Sequence, residues 1–366
     1  MVPFLDLKAT YEELKPELDA AVARVLSSGW YLLGDELSSF EREWAEYTES
    51  RFSVGLSNGL DALVLGLRAL DIGPGDEVIV PANTYIASWL AVSAVGATPV
   101  PVEPDPRTWT LDPQRVEDAI TPRCRAVMPV HLYGHPADLD PLLELARRKG
   151  LRVIEDAAQC HGARYKGRRI GSHGDVVCWS FYPGKNLGAF GDGGAITTND
   201  ADLADRIRVL RNYGSKRKYY NEVKGVNARL DELQAAVLRV KLTRLDEWNA
   251  RRAAIALRYA SALADLPITL PQAAEWATPV WHLYVIDVEN RDAVQAALAE
   301  RNVQTLIHYP VPPHLSAAYA EMNYRVGAFP ISERGAMTHL SLPIGPHLTL
   351  SQSESVIAAL VGTMTS

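Results

Sequence analysis

The run "SFYPGKNLGAFGDGGAI", Ser180 to Ile196, sets a single lysine, Lys185, in a glycine-rich stretch between two apolar segments. A phosphate loop of the Walker A kind needs a glycine five positions ahead of its Gly-Lys pair and a serine or threonine after it. Trp179 and Asn186 stand at those two positions, so this chemistry is excluded. The dinucleotide pattern GxGxxG fails as well. The glycines of "GAFGDGGA" come in the wrong order and lie between neighbouring strands, not after the first strand of a βαβ unit. Taken alone, Lys185 reads as a lysine exposed at a turn.

What gives it another meaning is an acid upstream. "VIEDAAQCHG" places Glu155 and Asp156 at the end of an apolar run, where parallel sheets carry their reactive groups. A lysine and a carboxylate together suit pyridoxal phosphate: the lysine forms the Schiff base, and the carboxylate keeps the pyridinium nitrogen protonated so that the ring accepts electrons. Once displaced by an amino donor, the lysine is free to move the proton. The phosphate needs backbone amides at a helix start and a few hydroxyls. "SNGLDAL" at 57–63 has the pattern of a strand, turn and helix of that kind, with Asn58 as a helix cap.

These residues need a scaffold. Short apolar runs alternate with amphipathic segments through the first half, which predicts βαβ units and a parallel sheet. Strands are expected in "RFSVGLSNG", "DEVIVPANT", "ATPVPVEP", "CRAVMPVHLYG" and "LRVIEDAAQ", and helices in "LDALVLGLRAL", "YIASWLAVSAVG" and "ADLDPLLELARRKG". "DVVCWSFYPG" and "GGAITTND" are too close for a helix between them and predict an antiparallel addition. Residues 8–27 predict one helix ending at Gly29, and the stretch from Asn227 to about Leu266 a long charged helix. Beyond Pro267, a strand "VWHLYVIDV", a helix "RDAVQAALAERN", a Pro- and His-rich loop and a terminal helix from near Ser351 form a smaller α+β unit. The domain boundary falls within 246–266. We divide the chain into a large cofactor-binding domain, 1–250, with its N-terminal helical segment, and a small C-terminal domain, 251–366.

At 366 residues the chain suits two domains. A net charge of −7 argues against nucleic acid as a partner, and no basic recognition segment is present. Three cysteines, Cys124, Cys160 and Cys178, do not suggest a disulfide framework and fit a reducing cytoplasm. The N-terminus lacks the pattern of a signal peptide, and no apolar run reaches the ~18 residues of a membrane span. The histidines show no metal-ligand spacing, so no metal is expected.

Together, "VIEDAAQCHGA", "SFYPGKNLGAFGDGGAI", "RNYGS", "GVNARLDELQAAVLRVKL" and "HLYVI" resemble the DegT-type sugar aminotransferases, pyridoxal phosphate enzymes of fold type I. The resemblance runs from "VPFLDL" to the C-terminal helix. It implies an α/β large domain with a mostly parallel, mixed sheet of seven-stranded type, plus a smaller α+β domain. It further implies that Lys185 holds the cofactor and shuttles the proton, that Asp156 pairs with the pyridinium nitrogen, and that Gln159 lies near the ring's 3-oxygen. Ser180 and the amides of Gly59 and Leu60 would bind the phosphate, and Tyr85 would stack on the ring. Asn227 would reach the phosphate of a neighbouring subunit, which makes the active unit a homodimer with shared sites. The chain departs from the family's frequent Ser-Gly-Thr turn, reading Asn58-Gly59-Leu60, so one hydroxyl contact is missing.

The resemblance also implies an amino donor, commonly L-glutamate, and a nucleotide-linked ketosugar as acceptor. "FYPGKNLGAFGDGGA" looks most like the branch that aminates C3 of dTDP-3-keto-6-deoxyhexoses. A 4-ketosugar, a cyclitol ketone or a non-catalytic regulator are the alternatives, and the intact Lys185, Asp156 and Gln159 set speaks against the last. Substrate contacts are expected from Tyr219 in "RNYGSKRKYYN" and from His308, Tyr309 and His314 in "IHYPVPPH". Arg229 is a candidate for the donor carboxylate, and His131 and His161 lie near the cleft without an assigned step.

Overall fold

The computed structural model describes residues 1–365. Seven strands, β1 Phe52–Leu56, β2 Glu77–Pro81, β3 Thr98–Val102, β4 Cys124–Val127, β5 Arg152–Asp156, β6 Val176–Ser180 and β7 Gly194–Thr198, form one sheet in the order β1-β7-β6-β5-β4-β2-β3. β7 runs antiparallel to both its neighbours, as the short β6–β7 connection requires, and the other pairings are parallel. The strands are apolar almost throughout because helices cover both faces: β2 is buried at every position, and β5 at all but its first.

In chain order the helices are α1 Leu7–Glu13, α2 Lys15–Ser28, α3 Asp35–Tyr47, α4 Gly59–Ala69, α5 Ile86–Ala94, α6 Pro113–Ala119, α7 Leu139–Lys149, α8 Ala201–Leu210, α9 Glu232–Leu242, α10 Leu245–Ala262, α11 Arg291–Glu300, α12 Pro330–Thr338 and α13 Leu350–Met364. On one side of the sheet, α4 and α5 contribute Leu65, Leu67 and Trp89 to a core with Val54, Val80 and Ile154. On the other, Phe40 and Trp44 of α3 meet Trp179 and Phe181, with Trp44 edge-on to both at ring-centroid distances of 5.0 and 5.5 Å. Full burial of each such side chain contributes roughly 1.5–3 kcal/mol. A further core gathers Tyr259, Tyr284, Ile286, Leu340, Val356 and Leu360 around a two-stranded ribbon, β10 Tyr284–Asp287 and β11 His339–Leu342, where Val2 from the start of the chain also packs.

Two expected helices are divided. The helix over 8–27 breaks at Leu14, since Pro16 lacks an amide proton and is accommodated only in a first turn, that of α2. The expected helix from Asn227 starts instead at Glu232. The backbone before it is taken by tertiary bridges, Asn227 with Asn212 and Asp231 with Leu32, which hold it extended. It then bends at Thr243 and Arg244, where the Thr243 hydroxyl donates back to the Val240 carbonyl at 2.7 Å. Helix α3 was not expected from the sequence, although its Leu37, Phe40 and Trp44 all point into the core.

Candidate active site

The site lies at the carboxyl ends of β5 and β6. Successive side chains of a strand face opposite sides, so Glu155 and Asp156 diverge. Glu155 accepts from His131 Nε2 at 2.9 Å and from the Gly174 amide at 2.5 Å, inside the protein. His131 Nδ1 accepts from the Ala137 amide at 3.0 Å, which fixes the ring proton on Nε2. Burial alone would push the Glu155 carboxyl up, but the bonds from His131 and Gly174 outweigh it and hold the group below its ordinary range. The same strand end is tied down by the amide of His131, which donates to the Asp156 carbonyl at 3.0 Å.

Asp156 faces the other side, toward α5. Ser88 Oγ donates to its Oδ2 at 2.8 Å, and the Ala158 amide to its Oδ1 at 3.2 Å. Ser88 is itself 2.9 Å from the Thr84 hydroxyl. Burial raises the Asp156 pKa, while Ser88, Ala158 and the charge of Lys185 work against the rise. Lys185 shows the converse: burial lowers its amine to about 8, opposed by the charge of Asp156. The two groups thus sense each other in a site of low polarity, each with its charged form destabilised.

Around this pair stand several of the residues expected there. Gln159 donates from Nε2 to Tyr309 Oη at 2.9 Å and accepts from the Tyr133 amide at 2.6 Å. Tyr85, half exposed, packs its ring 5.1 Å from that of Tyr309. His308 bonds the Ser341 hydroxyl at 2.8 Å; burial, and then the charge of Lys185, lower it to about 4, so it is a neutral ring at neutral pH. His161 packs against Trp44, Trp179 and Phe181 and is likewise lowered to about 3 by burial and Lys185.

Gly59 and Leu60 begin α4, where the first amides have no acceptor within the helix. Asn58 caps the next two: its Oδ1 accepts from the Asp61 amide at 2.8 Å and its carbonyl from the Ala62 amide at 3.1 Å. Ser180 at the end of β6 lies directly against this turn; a Cβ on Gly59 would sit 2.6 Å from Ser180 Cβ. Only a glycine lets the helix start and the serine approach so closely. The result is a hydroxyl and two amides converging at a helix N-terminus.

Three expected residues are not brought to this group. His314 is buried, with Nε2 3.0 Å from Glu333 Oε1 and its ring 4.8 Å from that of Phe329, inside the small unit. Tyr219 is 84% exposed in the turn between β8 Ser215–Arg217 and β9 Tyr220–Asn221, where its ring contact is with Lys218. Asn227 is exposed at its bridge to Asn212. Arg229 donates to Asn212 Oδ1 at 3.2 Å and lies over the Tyr213 ring. Sequence reasoning in turn missed Ser88 and Tyr133. Ser88 carried a signal, a hydroxyl four residues after Thr84 in a mostly apolar helix. Tyr133 carried none: its hydroxyl meets the His308 carbonyl, 2.6 Å away, only through the fold. Among the described residues no group of three or more His, Cys, Asp or Glu is arranged to hold a metal ion.

A seven-stranded mixed sheet with one antiparallel strand, a lysine after β6 and a carboxylate at the end of β5 define a fold type I pyridoxal phosphate aminotransferase. The chain belongs to the DegT/DnrJ/EryC1/StrS aminotransferase family, which it matches over residues 12–361. It is 64% identical over 320 residues to the dTDP-3-amino-3,4,6-trideoxy-alpha-D-glucose transaminase of Streptomyces venezuelae, covering 87% of this chain and 84% of that one. The crystal structure of S. venezuelae DesV in complex with a ketimine intermediate superposes with a TM-score of 0.97 at 61% identity, covering 99% of this chain and 98% of that one. NtdA from Bacillus subtilis, solved with bound cofactor PMP, gives a TM-score of 0.93 at 34% identity over 100% of this chain and 85% of that one. The residues present fit such a cofactor: a half-buried lysine that senses the charge of a buried carboxylate, and a helix start at Gly59 set so close to Ser180 that no Cβ would fit between them.

Proposed function

We propose that this protein transfers the amino group of L-glutamate to C3 of a dTDP-3-keto-6-deoxyhexose, giving a dTDP-3-amino-3,6-dideoxyhexose. The observation that carries the reading is the Lys185–Asp156 pair at the carboxyl ends of β5 and β6, in a chain so similar to a dTDP-3-amino sugar transaminase. When bound, pyridoxal phosphate supplies an aldehyde carbon that holds the amino group and a ring that accepts an electron pair. The chain's own residues do the rest. Lys185 Nζ would hold the cofactor and, once the donor's amine takes its place, the freed amine would take the proton from the donor's Cα. An amine lowered to about 8 by burial has a neutral fraction available for this at neutral pH. Asp156 stabilises a proton on the ring nitrogen, and Ser88 and Ala158 orient its two oxygens. Gly59, Leu60 and Ser180 would hold the phosphate, Gln159 would meet the 3-oxygen, and Tyr85 would cover the ring. In this reading His308 and Tyr309 contact the substrate beside Lys185, Tyr219 would reach it only from its exposed turn, and His314, held by Glu333, takes no part.

The working unit in this reading is a homodimer in the cytoplasm, with Asn227 facing the partner's phosphate. In its support, Asn227 is exposed, as is the apolar run Trp30 to Leu33, with Trp30 at 63%. Among the described residues no helix is long and apolar enough to cross a membrane.

The test is a panel of dTDP- and UDP-linked 3-keto and 4-keto sugars incubated with L-glutamate, with the position of the new amine read by NMR. Amination at C3 of the dTDP sugar is expected; amination only at C4 overturns the regiochemistry. Borohydride reduction followed by mass spectrometry should place the cofactor on Lys185, and Lys185→Ala should abolish transfer while leaving thermal unfolding intact. An adduct elsewhere sinks the assignment.

A further inference from the structure

Tyr133 stands where the turn after β4 meets the segments 280–283 and 307–309, and each of its polar groups bonds a different part of the chain. It has φ 60° and ψ 8°, in the left-handed region that is uncommon outside glycine. Its amide donates to Gln159 Oε1 at 2.6 Å. Its carbonyl accepts from the Leu283 amide at 3.2 Å, just ahead of β10, and its hydroxyl donates to the His308 carbonyl at 2.6 Å. The next carbonyl, of Gly134, accepts from the Val280 amide at 3.0 Å, and a Cβ on Gly134 would sit 2.7 Å from the His282 nitrogen. A side-chain-bearing residue keeps such a backbone only where its surroundings over-determine it, and sites of this kind cluster at working parts of proteins.

The consequences meet at Gln159. An amide side chain offers an accepting oxygen at one end and a donating nitrogen at the other, and either end could face a tyrosine hydroxyl. The Tyr133 amide can only donate, so it takes Oε1 and turns Nε2 toward Tyr309 Oη, 2.9 Å away. Tyr309 Oη therefore accepts. Its own proton, which burial keeps in place, goes to no acceptor among the described residues and is free for a ligand, beside the Tyr85 ring at 5.1 Å. The Tyr133 hydroxyl acts on the same neighbour from the backbone side. It holds the His308 carbonyl, and with it the planar peptide unit that joins His308 to Tyr309. Burial keeps this phenol protonated as well, so it remains a donor.

We propose that Tyr133 is a positioning residue for the acceptor side of the reaction: its amide sets the direction of the Gln159–Tyr309 hydrogen bond, and its hydroxyl holds the peptide that carries the Tyr309 ring. The assignment rests on the transaminase reading above. Tyr133 acts through Gln159 and Tyr309, not on the reacting atoms.

The test uses the holoenzyme with Tyr133→Phe, which loses the hydroxyl alone and keeps the ring and the amide. Loss of one neutral hydrogen bond should lower kcat/KM for the ketosugar nucleotide roughly 2–10-fold. Cofactor affinity and the half-reaction with L-glutamate should stay unchanged, because the amide that orients Gln159 remains. Tyr309→Phe, alone and combined with Tyr133→Phe, completes a double-mutant cycle. The double variant should lose less than the product of the two single losses; losses that multiply overturn the proposal. A measurement without substrate reads the same contact: deuterium uptake of the segment 306–309, followed by mass spectrometry, should rise in Tyr133→Phe while that of β5 is unchanged. Equal uptake in variant and parent overturns the proposal, and so does a Tyr133→Phe chain that fails to fold, since the hydroxyl would then support the whole structure. If the parent enzyme carries no borohydride-fixed cofactor on Lys185, it is the transaminase reading that fails. If it does, and the cycle shows no coupling, the positioning role alone fails.

Discussion

Ser88→Ala tests the electrostatics of the site with one atom. The Ser88 hydroxyl is 2.8 Å from Asp156 Oδ2, both groups are buried, and the other oxygen of Asp156 has a longer bond, 3.2 Å, from Ala158. A hydrogen bond to an ionised group contributes about 1.5–3 kcal/mol. One pKa unit corresponds to about 1.4 kcal/mol, so removing the hydroxyl should raise the Asp156 pKa by about 1–2 units. The sign follows from which form is lost: the hydroxyl stabilises the carboxylate, so without it the protonated acid persists to higher pH. A cationic ring nitrogen lowers the pKa in both proteins, and the difference between them survives. The assay is the pH dependence of kcat/KM for L-glutamate, followed by the absorbance change of the bound cofactor in the donor half-reaction. The acid limb should move up by about 1–2 units, giving a ~10–100-fold loss at a pH between the two limbs. Ser88→Thr keeps a hydroxyl and should leave the limb in place. An unmoved acid limb in a folded, cofactor-loaded Ser88→Ala enzyme would refute the reasoning.

Two further perturbations address the phosphate cradle and the support behind the acid. Gly59→Ala places a Cβ 2.6 Å from that of Ser180 and should force the α4 start and the β6 end apart, weakening cofactor binding at least ~10-fold, about 1.4 kcal/mol; a titration of apoenzyme with pyridoxal phosphate measures it, and unchanged affinity would count against the cradle. Glu155→Ala leaves His131 Nε2 and the Gly174 amide buried without their acceptor, and should lower stability by about 3–5 kcal/mol in urea denaturation. A loss below ~1 kcal/mol would mean that water replaces the carboxylate there.

The strands of the large sheet were legible because their burial on both faces is written as short apolar runs; Asp156 stood out as a carboxylate at the end of such a run, and it was this acid that gave the turn lysine Lys185 its meaning. The order of the strands was not legible. Neither was the sharing of polar partners: nothing in "IHYPVPPH" distinguishes His308, bonded to Ser341 beside Lys185, from His314, six residues later, which is paired with Glu333. The long helix expected from Asn227 had the right periodicity, yet tertiary bridges to Asn212 and Leu32 claimed its first residues, because a backbone group bonded across the fold is no longer available to a helix.

By itself, then, the sequence determined which chemistry was present: a lysine, a carboxylate, a helix start with a glycine turn and the sheet that carries them, since these depend on residue type and local period. Tertiary structure alone decided which side chains those groups would meet. Ser88 on Asp156 and Tyr133 beside Gln159 come from segments 68 and 26 residues apart. Their partnerships follow from packing in three dimensions, which fixes distance and burial, and hence charge, where the order of residues does not.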